Sequence, residues 1–179
     1  MSKPCVFFDR DGIVNESPGP GYVERWEDFH LQAGFVAALR VVAAKGWPAV
    51  IVTNQQGVAK GLYSEDELDA MHQNLRAALR AEGLDVLDVF KCVHFAADGC
   101  DCRKPKAGMF FAAAEKHALD LPRSWMIGDS EKDVEAGDNA GCAATIRVCP
   151  LDEKTAADFH VARMDEVAAI LEKELEPCA

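Results

Sequence analysis

This chain of 179 residues has no apolar run long enough to cross a bilayer, and Asp9 interrupts its first hydrophobic segment before it could act as a secretory leader. A cytoplasmic protein is therefore expected. Basic residues are scarce, 19 Lys and Arg against 30 Asp and Glu, giving a net charge of -11. Nucleic-acid surfaces depend on clustered cations that neutralise phosphates, so that partner class is excluded, and any anionic ligand must be held by a few local cations. No Gly-x-x-x-x-Gly-Lys sequence is present, which removes support for ATP as a phosphoryl donor. Repeats, low-complexity tracts and long linkers are missing too. With 49% hydrophobic and 27% charged residues, a single compact domain over residues 1–179, of the size of a small enzyme, is expected, acting as a monomer.

What is present is an alternation of short apolar runs with helical patterns, the pattern of βαβ units. Strands are expected at Cys5 to Phe8, Ala49 to Thr53, Val89 to His94, Trp125 to Gly128, Ala144 to Val148 and Phe159 to Ala162. Phe35, Val36, Leu39 and Val42 recur at helical spacing. Ser64-Glu65-Asp66-Glu67 reads as a capping box that opens a helix with Leu68, Met71, Leu75 and Leu79 on one face. Further helices fit Met109 to Leu119, Glu131 to Ala140 and Asp165 to Leu175. The expected fold is α/β, a three-layer α/β/α sandwich around a mostly parallel, Rossmann-like sheet. About forty residues separate the first two strands, already filled by one loop and one helix, which leaves no room for an inserted cap.

The densest chemistry follows the first strand. In Asp9-Arg10-Asp11-Gly12, residues i and i+2 of an extended segment share a side, so two carboxylates would stand together before Gly12 turns the backbone. Two acids at a strand's carboxyl end are costly unless a cation holds them. The polar residues after the second and fourth strands, Thr53 and Asn54 and then Asp129, would converge on the same end of the sheet, where ligands of open parallel sheets bind. The turn-rich segment Glu16 to Tyr22 would form a loop over that end.

Seven cysteines are an odd number, and Cys92, Cys100 and Cys102 crowd beside His94. The two paired spacings, Cys92-x-His94 and Cys100-x-Cys102, suit a closed tetrahedral zinc site, and a closed site is structural. Such a site would order the short loop and fix Arg103 and Lys104, which follow at once. Cys5, Cys142, Cys149 and Cys178 are read as small packing residues without chemistry.

Taken in order, Phe7-Phe8-Asp9-Arg10-Asp11-Gly12, Val52-Thr53-Asn54, Lys104, and Gly128-Asp129 with Asp133 resemble the four motifs of haloacid-dehalogenase-type phosphatases. The resemblance runs from about Cys5 to Val148. It implies a capless phosphatase in which Asp9 attacks phosphorus to form an aspartyl-phosphate and Asp11 exchanges a proton with the leaving oxygen and then with water. It also implies a magnesium ion on Asp9, the backbone carbonyl of Asp11, and Asp129. Thr53 and Lys104 would contact the phosphoryl oxygens, and Asp133 would support the metal shell.

The cysteine and histidine arrangement is similar to the subgroup of heptose bisphosphate and histidinol-phosphate phosphatases. Thr53-Asn54-Gln55-Gln56-Gly57-Val58-Ala59-Lys60-Gly61 and Gly21-Tyr22-Val23 look like the heptose enzymes. That resemblance implies a sugar bisphosphate substrate, D-glycero-D-manno-heptose 1,7-bisphosphate, with Arg103 on the retained phosphate and Tyr22, Asn54 and Gln55 on the sugar. Histidinol phosphate is the alternative substrate, and a catalytically silent sugar-phosphate sensor is the alternative from a different class, although a sensor needs neither nucleophile nor acid. Three departures stand out: Ile13 replaces a frequent threonine, Ser130 replaces a frequent lysine, and the loop before Gly21 is longer than the family pattern.

Overall fold

The computed structural model describes residues 2–178. Six strands form one wholly parallel sheet: β1 (Val6–Phe8), β2 (Ala49–Asn54), β3 (Asp88–Cys92), β4 (Trp125–Gly128), β5 (Ala144–Val148) and β6 (Phe159–Val161), in the spatial order β3-β2-β1-β4-β5-β6. Five helices cover it: α1 (Ala33–Ala44), α2 (Glu65–Ala81), α3 (Gly108–His117), α4 (Glu131–Ala140) and α5 (Val167–Glu174). The expected three-layer α/β/α sandwich is the fold found.

Its two faces are built by alternation along the strands. Val6 and Phe8 of β1, with Ala49 and Ile51 of β2, face a core shared with Phe35 and Leu39 of α1, Leu75 of α2 and Leu171 of α5. Cys5 and Phe7, with Val50 and Val52, point to the opposite core, against Phe110 of α3 and Ala136 of α4. The central strands β1, β2, β4 and β5 are buried almost throughout, which is why they read as continuous apolar runs. The Ser64 hydroxyl accepts from Glu67 N while Glu67 accepts from Ser64 N, so the expected capping box opens α2.

The differences from expectation lie at element ends. The third strand stops at Cys92, leaving His94 in the loop beyond. The last helix starts at Val167, after a 3-10 turn over Met164–Glu166 that occupies its expected first turn. Ile13 is fully buried in the first core, so the residue that replaces a hydroxyl faces away from solvent.

The site depends on strand order. β1 lies between β2 and β4 and the chain changes direction of winding there, so the loops after these three strands open together. Between β1 and α1 there is only a loop with a 3-10 turn at Trp26–Asp28, and no cap covers this end among the described residues.

Phe7 and Phe110 join sheet to helix with ring centroids 4.7 Å apart. Phe110→Ala is expected to cost about 3–5 kcal/mol of unfolding free energy by cavity formation, measured by urea titration. A loss near zero would show that this contact does not hold α3 to the sheet.

Candidate active site

A cavity of about 250 Å³ opens at the carboxyl end of the sheet, and Asp9, Asp11, Tyr22, Thr53, Asn54, Lys104, Asp129 and Asp133 all reach its wall. The sequence-predicted groups from four separate segments are thus brought to one mouth. Asp9 follows β1 and its N–H still donates to Ile127 O at 2.9 Å, so the ladder with β4 runs up to the acid itself. Asp9 Oδ1 accepts from Arg10 N at 2.8 Å and from Lys104 Nζ at 2.7 Å, which fixes the carboxylate.

Lys104 Nζ also donates to Asp133 Oδ1 at 2.6 Å, and the lysine is only 3% exposed. The other oxygen of Asp133 accepts from Ser130 N at 3.0 Å and Ser130 Oγ at 2.7 Å. Ser130, where a lysine is frequent, therefore caps α4 and fastens Asp133. The backbone makes room for these acids: a Cβ on Gly12, whose φ is +88°, would overlap the Asp129 carboxylate, and one on Gly128 would overlap Asp133.

One oxygen from each of Asp9, Asp129 and Asp133 lies within 4.8 Å of the others. Burial first, then the neighbouring Asp133, raises the Asp9 carboxyl to about 8 and the Asp129 carboxyl to about 6. Burial alone would lower the Lys104 ammonium, but Asp133 and Asp9 outweigh it and raise it well above the ordinary lysine value. With all three acids ionised, one ammonium leaves two negative charges unbalanced, and an all-oxygen donor set of that charge fits a hard divalent cation. Asp133 engages both of its oxygens with Lys104 and Ser130, which suits it to support the site and leaves Asp9 and Asp129 as the freer ligands.

Asp11 is held differently. Arg10, fully buried, grips it through Nη2 at 2.9 and 3.1 Å and Nε at 3.2 Å, while Nη1 lies 3.2 Å from His72 Nε2 behind. Asn15 Nδ2 donates to Asp11 Oδ1 and Gln55 Nε2 to Oδ2, each at 2.9 Å. Asn54 lines the cavity and clasps the Lys104 backbone from both sides, Oδ1 accepting from N at 3.0 Å and Nδ2 donating to O at 3.1 Å. Tyr22 stands on the wall with Lys60 over its ring. Gln55 is fully buried and absent from the wall. Arg103 is half-buried and, like Gln55, absent from the wall, and its buried Nη1 has no partner among the described residues. Sequence reasoning passed over the clamp on Asp11 by Arg10 and Asn15, and Lys132, which also lines the cavity; the only sequence signal was a bulky cation between two acids.

The second constellation also assembles. Cys92, His94, Cys100 and Cys102 offer ligand atoms within 4.8 Å of one another, with neighbouring atoms 3.2 to 3.7 Å apart. Zn–S bonds of about 2.3 Å in a tetrahedron separate sulfurs by about 3.8 Å, so the spacing fits such an ion.

An all-parallel sheet with an aspartate at the end of its first strand, and a lysine and further acids opposite, defines a hydrolase of the haloacid-dehalogenase-like class. A family model described as HAD-hydrolase-like matches residues 101–149. The D-glycero-alpha-D-manno-heptose-1,7-bisphosphate 7-phosphatase of Photorhabdus laumondii is 36% identical over 76% of this chain and 77% of its own. The D-glycero-beta-D-manno-heptose-1,7-bisphosphate 7-phosphatase of Pseudomonas putida is 39% identical over 73% and 74%. The crystal structure of D,D-heptose 1,7-bisphosphate phosphatase from B. bronchiseptica, complexed with magnesium and phosphate, superposes with a TM-score of 0.83 at 31% identity, covering 96% of this chain and 99% of that one. The chain belongs to the heptose-1,7-bisphosphate 7-phosphatase family of HAD-like phosphatases.

Two outcomes are expected. Asp9 and Asp129 bind protons more readily folded than unfolded, so the cation-free protein loses stability as pH rises from about 3.8 towards 6 for Asp129 and 8 for Asp9. A divalent cation removes that penalty, and the rise in Tm on adding magnesium should be larger at about pH 8 than at about pH 5; an equal rise at both would count against a cation on these acids. Purified protein should also carry about one zinc per chain by elemental analysis, and Cys102→Ser should lose most of it; a wild-type protein folded without zinc would remove the assignment.

Proposed function

We propose that this enzyme removes the C7 phosphate of D-glycero-D-manno-heptose 1,7-bisphosphate, with magnesium, in the supply of activated heptose for surface polysaccharide. The observation that carries this is the convergence of Asp9, Asp11, Thr53, Lys104 and Asp129 on one small cavity. Its size suits a phosphoryl group with a short sugar. Family membership adds the substrate class, since the relatives' names specify this bisphosphate.

Asp9, the backbone carbonyl of Asp11, and Asp129 would hold the magnesium ion. When bound, it supplies positive charge that offsets the phosphoryl oxygens as Asp9 approaches. An Asp9 oxygen forms a bond to phosphorus while the bond from phosphorus to the C7 oxygen breaks, and Asp11 delivers the proton that the departing oxygen needs. Asp11 then takes a proton from water as that water attacks the same phosphorus, releasing inorganic phosphate and restoring the Asp9 carboxylate. Lys104 and the Thr53 hydroxyl stabilise charge on the equatorial oxygens.

Arg103 would take the retained phosphate, for which its unpartnered Nη1 is a suitable donor, while Tyr22 and Asn54 meet the sugar. Zinc on Cys92, His94, Cys100 and Cys102 would brace the loop that carries Arg103 and Lys104. The whole of residues 1–179 serves as one capless catalytic domain, acting as a monomer in a reducing cytoplasm that keeps the cysteines as ligands.

Asp9→Asn should lower kcat below about one thousandth of wild type while leaving the fold intact. The decisive assay compares kcat/KM on the heptose 1,7-bisphosphate, fructose 1,6-bisphosphate and histidinol phosphate. A preference of at least about tenfold for the heptose ester, about 1.4 kcal/mol of transition-state binding, is expected. Preference for histidinol phosphate would replace this substrate, and phosphate release by Asp9→Asn at the wild-type rate would remove the nucleophile.

A further inference from the structure

We propose that Gln55 is a positioning residue that aims the Asp11 carboxylate at the leaving oxygen, rather than a contact to the sugar. The inference rests on the phosphatase reading above, in which Asp11 carries the proton.

Gln55 is 0% exposed and its amide is fully engaged inside the protein. Nε2 donates to Asp11 Oδ2 at 2.9 Å and to Thr53 Oγ1 at 2.8 Å, and Oε1 accepts from the Tyr63 hydroxyl at 2.7 Å. The orientation of the amide is therefore set from both sides. Tyr63 needs an acceptor and Asp11 needs a donor, so turning the amide over would place Oε1 against the carboxylate. The backbone is pinned as well, because Gln55 N donates to Cys92 O at 2.7 Å. Tyr63 is equally fixed: it is 5% exposed, and a Cβ on Gly57 would overlap its ring.

Arg10 reaches both oxygens of Asp11, Oδ1 through Nε and Nη2 and Oδ2 through Nη2 at 3.1 Å, and Asn15 holds Oδ1. Gln55 adds the shorter contact to Oδ2, at 2.9 Å and away from the oxygen that Asn15 holds, and so completes the restraint on the carboxylate plane. Its second bond turns the Thr53 lone pair inward, which frees the hydroxyl hydrogen to donate to a phosphoryl oxygen. One buried amide thereby aligns the group that moves the proton with a group that holds the phosphate. Positioning of this kind acts on the transition state, and a misplaced acid costs most when the leaving group is poor.

The test uses esters that carry no sugar, so that lost sugar contacts cannot contribute. Wild type, Gln55→Leu and the isosteric Gln55→Glu are compared on 4-nitrophenyl phosphate, whose leaving group needs no proton, and on benzyl phosphate, whose leaving group does. The ratio of kcat/KM between the two esters should rise at least about tenfold in both variants, any shared loss through Thr53 cancelling. KM for the heptose bisphosphate should stay within about threefold of wild type. A parallel fall on both esters, an unchanged ratio, or a loss confined to KM for the heptose ester would overturn the positioning role. If Gln55→Leu unfolds, judged by its thermal transition, Gln55→Glu alone decides. Absence of phosphatase activity in wild type on any of these esters would overturn the phosphatase reading and this inference with it, whereas the outcomes above sink only the role of Gln55.

Discussion

The site depends on how three carboxylates, Asp133 buried and Asp9 and Asp129 partly so, share one ammonium. Asp9, Asp129 and Asp133 meet around Lys104 at the mouth of the sheet, and the lysine bridges Asp9 and Asp133 at 2.7 and 2.6 Å. Burying charge is costly unless it is paired, and here the pairing is incomplete by design of the residues themselves. That deficit fits the cleft to a cation, which on the proposed reading would let an anionic ester approach the Asp9 carboxylate. Parallel strand order supplies the geometry, since β1 lies between β2 and β4 and all three end on the same side.

The Cys92 to Cys102 cluster belongs to the same arrangement. It lies at the end of β3, next to β2 in the sheet, with Asn54 paired to Cys92. From there the chain passes directly through Arg103 to Lys104, which Asn54 clasps through its backbone. A long lysine side chain reaches two carboxylates only if its backbone is held. The cluster and the asparagine hold it from opposite ends. Loss of order in the loop would therefore be felt in the charge balance of the site, not only in local stability.

Much of this was legible in the sequence, for physical reasons. Strand ends place Asp9, Thr53 and Asp129 by topology alone, and spacing of soft ligands marks Cys92, His94, Cys100 and Cys102. What escaped was everything that depends on side chains folding back. Alternation along a strand would send Arg10 away from Asp9 and Asp11, yet its guanidinium curls round to grip Asp11 while Met71, His72 and Phe29 enclose it. Gln55 shares the apolar interior although its neighbours Asn54 and Thr53 line the cavity, and no periodicity distinguishes it from them. Element ends drifted as well: β3 stops before the loop that carries His94, Cys100 and Cys102, and a 3-10 turn takes the place of a first helical turn.

The departure at Ser130 shows how the site keeps its charge in balance. A lysine there would have added a cation beside Asp129; Ser130 instead caps α4 and fixes Asp133. Lys132, two residues further on, lines the cavity with its ammonium engaged by no acid among the described residues. With a chain charge of -11, the field at the mouth is hostile to a bisphosphate unless such local cations offset it. Lys104 already bridges two acids, so on the proposed reading Lys132, and Arg103 with its unpartnered Nη1, would take the negative charge of the phosphate that is retained. On that reading the reacting phosphoryl group and the retained phosphate would be met by different cations, a buried one that bridges two acids and less buried ones without an acid partner, and that division would let a strongly acidic protein handle a doubly phosphorylated sugar.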